Sequence, residues 1–254
     1  MGYSVHIILI ILILLVALTG RGYTENPGDV IFQTSTLNAI LDGVYDGNMS
    51  IGKLKAHGGF GVGTFNNLDG EMIGLNGVFY QITSDGVVHI VPDLLRTPFA
   101  VVKFFEKDVS HKIHKPLNCT ELKKILSSLM PTENIFYAIK IEGAFKYVQT
   151  RSVPAQTKPY PPLTDVIKHQ PTFEFNNVNG TMVGFWLPDY LSEINSTGFH
   201  FHFLTADKTA GGHLLECETD KIRIDIDYSR EIQISLPDTK EFNNADLKNP
   251  GSGK

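Results

Sequence analysis

The chain has 254 residues, 42% hydrophobic and 19% charged, which excludes a disordered or fibrous protein and suits one large domain or two packed closely. A formal net charge of -5 excludes the polycationic surface that nucleic acid requires, so no nucleic-acid partner is expected. Cys119 and Cys217 are the only cysteines: one disulfide is available, but a disulfide-framed fold and a zinc ribbon are not.

At the N-terminus, Ile7 to Leu18 is an unbroken apolar run. A membrane-spanning helix needs roughly 20 such residues, so the run fits the h-region of a secretory signal better than a span. Residues 1–20 are therefore read as a signal, with cleavage near Thr19 or Gly20, although Met1 to His6 contains no Lys or Arg. An uncleaved anchor and a buried terminal element are the alternatives. The expected location is secreted or extracytoplasmic, with no stable membrane partner once the signal is cleaved. Sequons begin at Asn48, Asn118, Asn179 and Asn195, and matter in a host that glycosylates its exports.

Residues 21–33 read as a flexible leader rich in Gly and polar residues. A short helix is expected from about Thr36 to Val44, where Leu37, Ile40, Leu41 and Val44 recur at helical spacing. From Gly59 to Thr64 glycines alternate with Phe60, Val62 and Thr64, a strand pattern with close backbone approach. Asp69-Gly70, Asn76-Gly77 and Asp85-Gly86 then punctuate short apolar runs, the signal of a β-meander. Thr120 is expected to cap a second helix with Leu122, Ile125, Leu126 and Leu129 on one face, and Pro131 to stop it.

Ile135 to Thr150 returns to strand, with a bend at Gly143. Pro154, Pro159, Pro161 and Pro162 mark an extended connector, after which Thr164 can cap a short helix. Phe173 to Leu236 reads as antiparallel strands, and the alternation from Arg223 to Tyr228 predicts one buried and one wet face. The fold class is mixed α and β: largely antiparallel or mixed sheets and a few short helices. The expected division is a sheet domain with helices at 34–160, an antiparallel sheet domain at 161–240 carrying the metal site, and a polar tail at 241–254.

The chemistry concentrates in Gly198-Phe-His-Phe-His-Phe-Leu-Thr-Ala-Asp-Lys-Thr-Ala-Gly-Gly-His213. Side chains two apart on a strand share a face, so His200 and His202 point one way while Phe199, Phe201 and Phe203 point into a core. The turn-rich Asp207 to Gly212 lets the next strand return and bring His213 beside the pair. Three neutral imidazoles at one point make a metal site with open positions, which means catalysis rather than structure. Surface histidines on an amphipathic strand are the plainer reading; the paired spacing and the third His after Gly-Gly argue against it. His6, His57, His89, His111, His114 and His169 show no such pattern and are read as surface or structural.

Two further segments stand out. Gly63-Thr-Phe-Asn-Asn-Leu-Asp-Gly-Glu71 ends on a carboxylate at a hairpin exit, a position ordinarily solvated. Thr150-Arg-Ser-Val-Pro-Ala-Gln156, followed by Pro159-Tyr-Pro-Pro, places Arg151 where a connector begins. There a guanidinium either clamps a carboxylate bidentately or is simply exposed.

In this order, G-T-F-N-N-L-D-G-E, T-R-S-V-P-x-Q-x-x-P-Y-P-P-L and G-F-H-F-H-F-L-x-x-D-x-x-x-G-G-H resemble the acetolactate decarboxylase family over roughly residues 34 to 247. The resemblance implies one Zn2+ per chain on His200, His202 and His213, with Glu71 and Arg151 catalytic. Thr64 and Arg151 would bind substrate, and the chain would have a two-domain α/β fold and form a homodimer. The implied reaction converts 2-acetolactate to acetoin and CO2 through a metal-stabilised enediolate, with no thiamine or pyridoxal. Glu71 would deliver the proton, and Arg151 would orient the departing carboxylate or hold the enediolate. The family pattern also has a glutamate close to the C-terminus, and no Glu follows Glu241 here. A cupin-like oxygenase or isomerase and a non-catalytic secreted metal-binding protein are the alternatives. Asp207 in place of the usual Glu and the lack of a second cupin motif speak against the former.

Overall fold

The computed structural model of the chain describes residues 29–250. The expected signal at 1–20, residues 21–28 of the leader and residues 251–254 of the tail lie outside the described residues.

The strands in chain order are β1 (Val30–Thr34), β2 (Met49–Ser50), β3 (Phe60–Thr64), β4 (Glu71–Leu75), β5 (Val78–Ile82), β6 (Val88–Ile90), β7 (Arg96–Thr97) and β8 (Ala100–Lys103). They continue with β9 (Val109–Ile113), β10 (Leu117–Asn118), β11 (Phe136–Arg151), β12 (Thr172–Leu187), β13 (Gly198–Thr205), β14 (Gly211–Ser229) and β15 (Glu231–Ser235). Short helices interrupt them: α1 (Leu37–Leu41), α2 (Ile51–Leu54), α3 (Cys119–Leu129), α4 (Leu163–Val166) and α5 (Lys240–Asn244).

The first sheet runs β15-β1-β8-β3-β4-β5-β6. Its meander forms at the Asp-Gly and Asn-Gly pairs, as expected. Asn76 (φ 53°) and Gly77 (φ 80°) both take the left-handed backbone of a type I′ hairpin turn, whose twist matches the strands it joins. Gly61 admits the backbone of β8, because a Cβ there would stand 2.3 Å from the Val101 carbonyl oxygen. In the second sheet β11 pairs along its length with both β12 and β14, β12 pairs with β13, and the start of β14 pairs back onto β13. At that end the four strands close on themselves. The expected bend is present at Gly143 (φ 152°), where the β11–β14 register shifts before Phe145.

The sheets pack face to face. Ile31, Val62, Ile73, Ile82 and Val101 of the first meet Phe136, Val183, Phe185 and Leu204 of the second in one buried cluster. On the outer face of the second sheet, Leu122 and Leu126 of α3 cover Ile139, Ile224, Phe201 and Phe203. The Phe-rich face of the His strand thus lies in a core, as its alternation predicted. Among the described residues no helix is long and apolar enough to cross a membrane.

Several sequence expectations are corrected. Residues 30–33, read as leader, belong to β1, where Ile31, Phe32 and Gln33 are buried: a Val-Ile-Phe run has more to gain inside a sheet than in solvent. The cap of α3 is Asn118, in a capping box with Glu121, rather than Thr120. Thr164 lies inside α4, whose preceding residue is Pro162. β15 is parallel, lying alongside β1. The second sheet begins within residues 109–118, and β15 returns to the first.

Asp225 and Asp227, assigned to a wet face, are buried, because the Ser110 hydroxyl covers the first and the Lys103 side chain the second. The tail is also partly ordered. Thr239 caps α5, and Phe242 packs on Ala39 and Val44 while Asn38 Nδ2 donates to the Leu247 carbonyl at 2.8 Å. Cys119 and Cys217 form a disulfide that ties α3 to β14.

Candidate active site

Strand register brings the predicted residues together. On adjacent strands Arg151 of β11 lies opposite His213 of β14, and His213 lies opposite His202 of β13. Residues directly opposite in a ladder project from the same face, so three side chains from one transverse row enter one space. His200 joins them two residues back along β13. The closing of β13 onto β14 needs Gly212, whose φ is 138° and whose Cβ would stand 2.4 Å from the Arg151 carbonyl oxygen.

The imidazoles converge through His200 Nε2, His202 Nε2 and His213 Nδ1. His213 Nδ1 is 3.2 Å from His200 Nε2 and 3.3 Å from His202 Nε2, and the triad is the one metal-competent cluster of His, Cys, Asp and Glu among the described residues. Nitrogens each about 2.0–2.1 Å from a tetrahedral zinc ion stand about 3.3–3.4 Å apart, so these separations fit such an ion. The tautomer fits as well. His202 Nδ1 lies 2.8 Å from the Met72 carbonyl oxygen, to which it can only donate, and this leaves the Nε2 lone pair facing the cluster. Burial pushes all three imidazoles below their usual pKa, His200 to about 4, aided by the Arg151 charge. They are neutral at physiological pH, as ligands must be.

Glu71 arrives from the opposite sheet. The Asp69-Gly70 turn starts β4 at Glu71, whose carboxylate is buried rather than solvated. One carboxylate oxygen accepts from Arg151 Nη1 at 3.2 Å; the other lies 3.4 Å from His202 Nε2. Burial raises the Glu71 carboxyl to about 7, and the Arg151 guanidinium partly offsets the rise. Arg151 is the last residue of β11, not part of the Pro-rich connector, and its side chain remains 18% exposed. Thr64, opposite Glu71 in the β3–β4 ladder, donates its hydroxyl to the Gly70 carbonyl at 2.7 Å.

These side chains line a cavity of about 310 Å³ between the sheets, so Thr64, Glu71, Arg151, His200, His202 and His213 all meet there. Leu37 and Ile40 of α1, Leu163 of α4, Phe99 and Val153 supply its apolar wall, and Ser196 adds a hydroxyl. Sequence reasoning missed these. Leu37 and Ile40 read as an ordinary helix face, and Ser196 read as part of a sequon. A larger cavity of about 640 Å³ opens at the other end of β3, around Phe60, Phe104 and Lys107, and holds none of the six.

A buried acid, a guanidinium and three neutral imidazoles around one cavity between two sheets define an enzyme. A family model of alpha-acetolactate decarboxylase matches residues 31–249. An alpha-acetolactate decarboxylase of Methanosarcina mazei is 45% identical over 224 residues, 88% of this chain and 78% of that protein. The Bacillus subtilis (strain 168) alpha-acetolactate decarboxylase is 42% identical over 234 residues, 92% of each chain. The crystal structure from that strain superposes with a TM-score of 0.86 at 41% identity, covering 89% of this chain and 100% of that one. The chain belongs to the alpha-acetolactate decarboxylase family and is a carboxy-lyase. The family match displaces the cupin-type and non-catalytic readings.

Proposed function

We propose that the chain is a zinc-dependent decarboxylase that converts 2-acetolactate to acetoin and CO2, with one zinc ion per chain on His200, His202 and His213. The observation that carries the metal is the pair of nitrogen separations, 3.2 and 3.3 Å, around a point faced by the His202 Nε2 lone pair. When bound, zinc supplies a Lewis acid for the negative charge that builds on the substrate's oxygens as CO2 leaves.

The remaining work falls to side chains. Arg151 holds the substrate carboxylate through its free N–H groups, the Glu71 contact occupying only one edge of the fork. The carbon–carbon bond to that carboxylate breaks, and its electron pair passes to the adjacent carbonyl as an enediolate. Glu71, whose burial favours the protonated carboxyl, gives its proton to the carbon that lost CO2, forming the new C–H bond. Solvent then reprotonates the carboxylate. Thr64, its own proton given to Gly70, offers oxygen lone pairs to a substrate hydroxyl. The apolar wall of Leu37, Ile40 and Leu163 suits the substrate's methyl groups and limits water.

Export through residues 1–20 is part of this reading, supported by the Cys119–Cys217 disulfide, which persists in an oxidising compartment. A homodimer is the expected assembly, to be checked by sedimentation. The test of function is turnover of racemic 2-acetolactate by purified protein, followed as acetoin on a chiral column. Activity abolished by a chelator and restored by zinc is the expected result. A fully zinc-loaded protein that forms no acetoin would reject the proposal.

A further inference from the structure

Arg151 and Glu71 belong to different sheets, so neither ladder sets the distance between them. The tie lies one residue beyond. Ser152, fully buried, donates its hydroxyl to the Ile82 carbonyl at 2.7 Å, and Ile82 is the β5 partner of Glu71 in the first sheet. The Gly70 N–H, adjacent to Glu71, donates to the Val153 carbonyl at 3.0 Å, and the Gln156 N–H donates to the Asn67 carbonyl at 2.7 Å. On its other side the Ser152 N–H donates to the Pro171 carbonyl at 3.2 Å. Segment 152–156, immediately after Arg151, is thus laced to the turn immediately before Glu71.

The Ser152 hydroxyl is the one bond of this lacing that a side chain supplies across the two sheets; Gln156 Nε2 bonds only within the segment, to Pro154. Ser152 does not line the cavity, while its neighbours Arg151 and Val153 do. It therefore acts on the site through its neighbours rather than on substrate.

We propose that Ser152 is a positioning residue. Its hydroxyl fixes the end of β11 against β5, so that Arg151 Nη1 and Glu71 Oε1 meet at 3.2 Å across the sheet boundary. The proposal rests on the roles given above to Arg151 and Glu71. Removing the hydroxyl frees the strand end, and a displacement of the order of 1 Å at reacting groups costs as much as about 100-fold in rate.

A double-mutant cycle on the zinc-loaded enzyme tests it, with Ser152→Ala, Arg151→Lys and the two combined assayed well below the Tm of each. Ser152→Ala should lower kcat/KM by about 10- to 100-fold with metal content unchanged, and Ser152→Thr, which keeps the hydroxyl, should retain most of the rate. In the Arg151→Lys background the same substitution should cost little more, because the group it positions is already gone. A Ser152→Ala enzyme with a lowered Tm but unchanged kcat/KM overturns the proposal. So does an equal loss in both backgrounds. If Arg151→Lys itself has wild-type kinetics, the role of Arg151 falls and this inference with it; a damaged Arg151→Lys beside an undamaged Ser152→Ala rejects only the positioning. Should Ser152→Ala fail to fold, Ser152→Cys, which keeps the volume and weakens the donor, completes the same cycle.

Discussion

His202 donates through Nδ1 to the Met72 carbonyl oxygen, 2.8 Å away, and Met72 directly follows Glu71 in β4. One strand of the first sheet therefore orients an imidazole of the second sheet with its backbone and presents a carboxylate to the same point with the preceding side chain. A backbone carbonyl cannot be titrated or rotated away, so the Nε2 lone pair of His202 is held toward the cluster.

The metal assignment predicts that His202→Ala loses the ion while remaining folded. Phe201 and Phe203, on the opposite face of β13, still fill the outer core. Affinity should fall by more than the roughly 10- to 100-fold typical of losing a group that merely orients a ligand. Metal analysis and circular dichroism on the same sample check both halves. Full occupancy in a His200→Ala/His202→Ala protein would refute the site.

Arg151→Lys keeps the charge but replaces a planar fork by a point donor that cannot hold Glu71 and substrate in fixed directions. Losing a charge-assisted contact of ~2 to 4 kcal/mol corresponds to a drop in kcat/KM of roughly 30- to 1000-fold. Steady-state kinetics decide it, and wild-type constants would return Arg151 to the class of partly exposed structural charges.

Glu71→Gln keeps size and hydrogen bonding while removing proton transfer, a loss of ~100- to 10,000-fold. We expect one zinc per chain to remain, with the rate lost and the enantiomeric purity of the acetoin reduced. A fall in zinc content would instead make the carboxylate a ligand, a role its 3.4 Å approach to His202 Nε2 also allows. An unchanged rate and unchanged purity would leave Glu71 without a part in the reaction.

Lys103 and Asp227 form a buried pair joining β8 to β14, at 2.5 Å, with Ser229 and the Glu106 N–H completing their hydrogen bonds. Burial works against both charges, pushing the Asp227 carboxyl up to about 6 and the Lys103 ammonium down. Lys103→Met should destabilise by ~3–5 kcal/mol, because it strands a carboxylate between the sheets, while Lys103→Met/Asp227→Leu should recover most of that loss. Urea unfolding of the three proteins measures it. Equal stability of the single and double variants would show that the pair is not coupled.

The Cys119–Cys217 disulfide closes a loop across a sequence separation of 98 residues. Replacing both cysteines by Ser should cost about 2–5 kcal/mol while leaving kcat/KM unchanged, since α3 covers the face of the second sheet away from the cavity. Denaturant unfolding and a single activity assay suffice. A large loss of activity in a folded Ser/Ser protein would contradict that separation.

The sequence by itself determined what is local and periodic. Alternation along Gly198–Thr205 placed His200 and His202 on one face and the phenylalanines on the other, because a strand repeats every two residues whatever surrounds it. The Asp-Gly and Asn-Gly pairs marked the meander, because only certain residues tolerate the turn backbone those hairpins need. The ordered motifs also carried the family. Tertiary structure alone decided the rest. The burial of Glu71 followed from the second sheet lying over the hairpin exit, that of Asp227 from Lys103 reaching it from β8, and that of Asp225 from Ser110 of β9. β15 pairing in parallel with β1, the docking of Phe242 on α1, and the shared face of Arg151, His213 and His202 are likewise pairings between distant segments. No residue pattern within one segment encodes its partner strand or register, which are set by the total burial that only the assembled sheets achieve.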